Sequence, residues 1–457
     1  MCIFISCTYS CVISSGVCPY LNAFNKKDKK MAWVGFTMVS VFMLLILTRR
    51  LSAIVALVLV PVIFGLLLGL GGQMGGMIMD GLLKVAPTAM MLMFAILYFA
   101  VMFDAGLFEP AVKRIVRWVG DDPLRITLGT AALASIISLD GDGSTTVLVV
   151  VTALLPVYLR LGMNPLILAV MLLLTNTVIN IVPWGGPTPR AASALHLDVL
   201  EVFLGLIPTM LAGLVYAFAA AWWLGKRERK RLGWVPKQVR TATPVQDRAV
   251  LATHRPKLFW ANLVLTVALV ASMVTSLGPL PVLMLVALAL ALVINYPRLA
   301  DQKARIAAHS ESVLNVLALI FAAGAFTGIL TGSGMVEGMS QALLNVVPES
   351  AGPYMSLITA LAAMPFTFVM SNDAFFFGIL PILGGAAAEY GVDPMHIARA
   401  ALLGQPVHAM SPLVAAPYLL ASLIQRDFAE LQRCCLGWAL GSSAVLILAA
   451  LLTGAII

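Results

Sequence analysis

Long apolar runs separated by short polar breaks make up most of this chain. At about 20 residues for each helix that crosses a bilayer, ten runs predict spanning helices, at residues 31–48, 52–70, 85–104, 165–182, 199–224, 258–276, 280–295, 311–331, 394–417 and 436–456. Four further runs, 126–139, 147–159, 355–370 and 374–388, hold only 13 to 16 residues each. At 1.5 Å per residue an arm of 14 reaches about 21 Å, short of a hydrocarbon core about 30 Å thick. They pair better as two re-entrant hairpins, with tips at 140–146 and 371–373.

Composition agrees with the pattern. The 457 residues are 61% hydrophobic and 11% charged, whereas a soluble domain carries about a quarter charged residues. This predicts a multi-pass membrane protein, with the lipid bilayer as its surroundings; the plasma (inner) membrane is its expected location. The net charge of +8 does not imply nucleic acid, because the basic residues lie in the loops. Placing 49–50, 109–125, 160, 225–257, 296–309 and 424–433 inside collects 22 of the Lys and Arg and leaves Lys84, Arg190 and Arg399 elsewhere in the core. That is the positive-inside bias. The run 226–231 serves most simply as an anchor on anionic lipid. Cys2, Cys7, Cys11, Cys18, Cys434 and Cys435 show no zinc-like spacing and no disulfide framework. Residues 1–30 are expected to be an extension outside the fold, with Met31 as the functional start: the lysines at 26, 27, 29 and 30 follow the apolar stretch, the wrong order for a signal peptide.

An internal repeat organises the rest. FDAGLFE at 103–109 reads like TGSGMVE at 331–337, and each precedes a hairpin with aspartate at its tip. Asn164-Pro165 matches Asp393-Pro394, and each proline is followed by a polar, proline-rich break, 183–189 and 405–412. Five spans per half is an odd number, so the halves must be inverted. The predicted fold is all-α and polytopic: two inverted repeats, 31–224 and 258–457, joined by a basic cytoplasmic linker, 225–257. Each has five spanning helices and one re-entrant hairpin, with broken helices at the midplane, the architecture of secondary transporters.

The stretches FDAGLFEP, LDGDGSTT, VPWGGPTPRAASAL, SNDAFFFGILP and ARAALLGQPVHAMSPLVAAPYLL resemble those of the citrate/divalent-metal proton symporter (CitMHS) family of the ion transporter superfamily, from about Met31 to the C-terminus. The resemblance implies proton-driven uptake of citrate complexed with a divalent cation. It implies no permanently bound cofactor, and a homodimer with a scaffold and a moving, elevator-type transport domain.

The residues allow a physical reading beside this. Gly141 and Gly143 let the first tip bend, and Ser144 and Thr145 open its second arm where a helix dipole favours an anion. Asp140 and Asp142 suit a cargo that includes a cation, or a coupled proton; as a purely structural turn, Asp140 would instead cap the second arm. Asp373, with Ser371 and Asn372, is the inverted counterpart, and capping of the arm at 374–388 is its structural alternative. Asp142 and Asp373 are the residues expected near the carried metal. Asn176, Asn180, Gly185, Gly186 and Thr188, beside Trp184, would line a cavity at the first break. Arg190 could grip a citrate carboxylate with its planar fork, or serve as an interfacial anchor. Gln405, His408 and Ser411 form the second break, where His408 is either a proton carrier or a structural histidine. Asp104 reads as a cap or loop ion pair, and Phe375, Phe376 and Phe377 as hairpin packing.

A proton symporter of another, gluconate-like organic acid is the nearest alternative. A channel would not need titratable acids at both tips. An intramembrane aspartyl protease would need a GxGD pattern that Leu139-Asp140-Gly141-Asp142 lacks.

Overall fold

The computed structural model describes residues 26–48, 50–141, 143–234, 253–275, 277–344 and 349–457. Residues 1–25 of the expected extension, and Asp142, lie outside the described residues. Among those described, the chain is helical without strands. Eight helices are long and apolar enough to cross a bilayer, and four apolar helices are shorter.

The first part runs α1 (Lys26–Leu47), α2 (Ala53–Leu67), α3 (Gly71–Asp104), α4 (Glu109–Val119), α5 (Pro123–Ile137), α6 (Gly143–Arg160), α7 (Pro165–Ile179), α8 (Pro187–Leu195), α9 (Val199–Leu204) and α10 (Ile207–Arg231). After residues 235–252 come α11 (Phe259–Val274), α12 (Leu280–Asn295), α13 (Leu299–Gly332), α14 (Met335–Leu344), α15 (Met355–Val369), α16 (Leu380–Glu389), α17 (Pro394–Leu402), α18 (Gln405–His408), α19 (Ala415–Leu423) and α20 (Phe428–Leu452). The order recurs: a 34-residue helix, a short helix, two hairpin arms, a broken helix and a 25-residue helix appear once in each part.

Several boundaries differ from expectation. Helix α1 is already helical at Lys26, the first described residue, so Lys26–Lys30 belong to it rather than lying outside the fold; lysine is a good helix former. Helices α3 and α13 each start more than ten residues early; at 34 residues each is about 51 Å long. The glycine-rich start of α3 stays helical because Gly81 lies on α13, where an added methyl would overlap the Gly324 carbonyl. Gly328 likewise sits on the Met77 carbonyl. Small residues let two membrane helices approach backbone to backbone. At the other end of this antiparallel pair Asp104 accepts from Arg305 at 3.1 Å and from His309 Nε2 at 2.8 Å, so it forms an ion pair as read.

The second arm of hairpin one is also longer than expected. Helix α6 has 18 residues, about 27 Å, because Gly143 to Thr146 are helical and precede the apolar run. The expected single span 199–224 is two helices, α9 and α10. Arg399 of α17 packs on Gly205 between them and donates to the Glu201 carbonyl at 2.8 Å and the Val202 carbonyl at 3.3 Å.

Helices α2, α3, α12 and α13 pack as one bundle with α11 against α12. The hairpins, the broken helices, α10 and α20 pack as another. At its centre every residue of α7 is buried, as befits a helix apolar on all sides. The two halves exchange segments: α8 packs against α16 and α17, while α19 packs against α6 and α7.

Candidate functional site

Both broken helices start in the same way. Asn164 accepts from Leu166 N at 3.0 Å and Asp393 from Met395 N at 2.8 Å, each with proline at the next position. Capping satisfies an orphan N–H, and proline has none to lose there.

Helix α7 ends at Asn180, and the break continues through Gly186. A methyl at Gly185 would overlap the Asn180 carbonyl, so the fold of this break requires glycine. Asn180 Oδ1 accepts from Gly186 N at 3.3 Å, and Thr188 Oγ1 donates to the Ile181 carbonyl at 2.7 Å. These bonds close the unwound backbone on itself, which a membrane interior demands.

The tip of hairpin one lies on this break. Residues Ser138–Asp140 form a 3₁₀ turn, and Gly141 follows at φ +81°, a conformation natural to glycine. Trp184 Nε1 donates to the Leu139 carbonyl at 2.7 Å, and its ring stacks on Phe99 at 4.9 Å. Asn176 Nδ2 donates to Ser138 Oγ at 3.0 Å. Gly143 opens α6 beside Asn176 Oδ1. Asp140 and Thr145 are half-buried, and Ser144 is exposed.

Hairpin two is built alike. Asn372 and Gln405 exchange amide hydrogen bonds at 3.1 Å in both directions. Ser371 Oγ accepts from Ala374 N at 3.2 Å, so Ser371 supplies the cap, whereas Asp373 makes no side-chain cap bond. Residues Ala374–Ile379 wind as a π-helix, in which Phe375, Phe376 and Phe377 are fully buried packing groups. His408 Nδ1 lies 2.6 Å from the Thr367 carbonyl. A carbonyl only accepts, so Nδ1 carries the hydrogen and Nε2 is the other tautomeric position. Ser411 is buried, and its Oγ accepts from Leu413 N at 3.2 Å.

The two assemblies meet at an ion pair. Arg190 Nε donates to Asp373 Oδ1 at 2.7 Å, and Arg190 Nη1 donates to the Gly186 carbonyl at 2.6 Å. The guanidinium therefore belongs to the tip of hairpin two. Sequence reasoning passed over Ser138, which ties Asn176 to the first tip; its signal was a hydroxyl two residues before the tip aspartate. It also passed over Gln432, whose Nε2 braces the second break at the Met410 carbonyl, 2.8 Å away.

The sequence profile of the citrate transporter family, CitMHS, matches residues 27–404. The chain belongs to this family. It is 50% identical over 426 residues to a protein of Bacillus subtilis (strain 168) described as a citrate transporter, covering 93% of this chain and 99% of that one. It is 47% identical over 428 residues to the Mg(2+)/citrate complex secondary transporter of the same organism, covering 93% and 99%. Among solved structures it resembles the Alcanivorax borkumensis YdaH transporter, with a TM-score of 0.56 at 14% identity, over 94% of this chain and 98% of that one. That likeness concerns the fold. CitMHS proteins are transporters and not enzymes, so this is a multi-pass membrane transport protein and the protease alternative falls away.

Proposed function

We propose that this CitMHS protein takes up citrate as its complex with a divalent metal ion, driven by protons, with the two tips and two breaks forming one site. The observation that carries this reading is the Arg190–Asp373 pair, which sets a carboxylate-binding cation beside a titratable acid where the two assemblies meet. Arg190 grips a citrate carboxylate through its planar fork. Backbone and side-chain groups of Gly141, Gly143, Ser144, Thr145, Asn176, Asn180, Gly185, Gly186, Thr188, Ser371, Asn372, Gln405 and Ser411 surround the rest. Asp140, Asp373 and His408 are the groups that would receive the cation or the proton, and the same role is proposed for Asp142, which lies outside the described residues, with Asp142 and Asp373 as the candidates for the metal.

Citrate carries three negative charges near neutral pH, and its complex with a divalent ion carries one. Moving the complex avoids much of the desolvation cost of the free trianion. The metal travels as substrate. The related Mg(2+)/citrate transporter supports this choice of cargo.

The recurring element order and the exchanged segments support two inverted repeats, 31–224 and 258–457, about a basic linker. Each hairpin is bonded to the break of its own half, so the pair can move as one body against the bundle of α2, α3, α12 and α13. That is an elevator-type step, in a protein acting as a homodimer.

Radiolabelled citrate uptake into proteoliposomes under an imposed pH gradient, with and without Mg²⁺, tests the reading. Accumulation should need both the gradient and the metal. Uptake of citrate that chelation leaves unchanged would overturn the metal-complex cargo.

A further inference from the structure

We propose that the outward faces of α4 and of the end of α10 form one surface that binds the phosphate headgroups of anionic phospholipid, on the side that the positive-inside bias makes cytoplasmic. The partner is the membrane itself, and the transported substrate plays no part in the assignment.

The basic run that closes α10 divides in two. Arg229 Nε donates to Asp122 Oδ1 at 2.7 Å. Arg231 Nη2 donates to the Gly162 carbonyl at 2.6 Å, and its Nε donates to Glu228 Oε1 at 2.8 Å. These two arginines are committed inside the protein, fastening α10 to the start of α5 and to the turn between α6 and α7. Lys226, Arg227 and Lys230 share another side of the helix. All three are exposed, and among the described residues no carboxylate pairs with them.

Trp222 and Trp223 stand one turn earlier, 47% and 48% exposed. Lys226 Nζ lies 3.7 Å from the centre of the Trp222 ring, and the Arg227 guanidinium lies 5.6 Å from that of Trp223. Tryptophan of this kind marks the headgroup level of a bilayer. The rings therefore hold both cations at the depth of lipid phosphates rather than out in water.

Helix α4 presents the same chemistry. Val112, Val116 and Val119 are buried where it packs on hairpin one, while Arg114, Arg117 and Trp118 are exposed. An 11-residue helix with one apolar side, one basic side and tryptophan at the rim suits the plane of the interface. Its counterpart by element order, α14, has no Lys or Arg and is packed closely on α1 as well as on α16. Helix α4 rests on the arms of its own hairpin, α5 and α6, and among the described residues no other helix covers it as closely as α1 covers α14. The two parts of the surface meet at one corner: Asp122, the acceptor of Arg229, lies three residues after Val119, the last residue of α4.

Charge complementarity selects the occupant. Unpaired cations beside half-exposed tryptophans, on helices that enter a bilayer, match the anionic headgroups of the leaflet in which those helices already stand. Because Arg229 and Arg231 fasten α10 to both ends of hairpin one, lipid bound here is coupled to the base of that hairpin.

Native mass spectrometry of the full-length protein, released from nanodiscs of equal parts phosphatidylglycerol and phosphatidylcholine, tests this. The wild type should retain phosphatidylglycerol over phosphatidylcholine by about fivefold or more. Arg114→Gln/Arg117→Gln and Lys226→Gln/Lys230→Gln should each lower that preference at least about twofold, whereas Arg114→Lys/Arg117→Lys should keep it. Lys257→Gln/Lys303→Gln removes two exposed cations from other elements and should leave it unchanged. Equal retention of the two lipids by the wild type overturns the inference. So does a preference that survives in both glutamine variants of the surface, or an equal loss in the Lys257/Lys303 variant, which would reduce the effect to net charge. Displacement of the lipid by inorganic phosphate alone would assign the surface to a soluble anion and overturn it too.

Discussion

Asn176 and Gln405 each lie eleven residues beyond the proline that opens their half's broken helix, Pro165 and Pro394, and each bonds through its side-chain amide to the tip of the neighbouring hairpin. The two breaks and the two tips are thereby fastened in pairs by the same chemistry. Replacing Gln405 by alanine strands the Asn372 amide at a cost of about 1–3 kcal/mol, and replacing Asn176 leaves Ser138 with only the long 3.4 Å contact to Thr146 Oγ1. Asn176→Ala and Gln405→Ala should insert normally yet lose most citrate uptake, measured in vesicles against equal amounts of protein. Full uptake by both would separate the amides from the transport step.

The glycines of the site should not behave alike. Gly185→Ala drives a methyl into the Asn180 carbonyl, whereas at Gly143 the added carbon meets Asn176 Oδ1 at an ordinary 3.5 Å. Gly185→Ala should lower the melting temperature and abolish uptake. Gly143→Ala should stay folded, any effect appearing in KM. Thermal unfolding in detergent together with uptake kinetics reads both.

Trp184 offers an optical handle on the first tip. Trp184→Phe preserves a ring against Phe99 but removes the bond to the Leu139 carbonyl, a loss of about 1 kcal/mol. In a variant retaining Trp184 as its single tryptophan, magnesium citrate should change the emission. An unchanged spectrum alongside measurable binding would show that the tip holds still when ligand arrives.

A fourth prediction concerns the contact between α3 and α13. Gly81→Leu places a side chain where the Gly324 backbone now lies, and no rotamer escapes a clash with backbone. Such overpacking costs about 1–3 kcal/mol or more. The variant should express poorly or melt well below wild type. A melting point equal to wild type would contradict the packing described.

The elements nearest the chemistry were legible because local rules place them. Asn164-Pro165 and Asp393-Pro394 announce helix starts, the glycines at 141, 185 and 186 mark bent backbone, and acids in an apolar chain mark a tip. What escaped was set by contact across long stretches of sequence. Arg190 offered two local readings, since its partner Asp373 is 183 residues away. The early start of α3 contradicts its glycine-rich sequence until α13 lies beside it. The division of 199–224 into α9 and α10 depends on Arg399, which reaches the Glu201 carbonyl 198 residues away. Capping posed a subtler problem: Ser371, Asn372 and Asp373 all suit the role, and only the placement of their side chains gives it to Ser371.

The pairing of Arg190 with Asp373 also sets a schedule for biosynthesis. The arginine is translated 183 residues before its counter-ion, an interval of roughly 10 to 40 seconds at 5–20 residues per second. During that time a charged α8 has neither Asp373 nor the α16 and α17 surface on which it finally rests. The first half therefore enters the membrane with a charge whose counter-ion belongs to the second, and its final packing waits on completion of the chain.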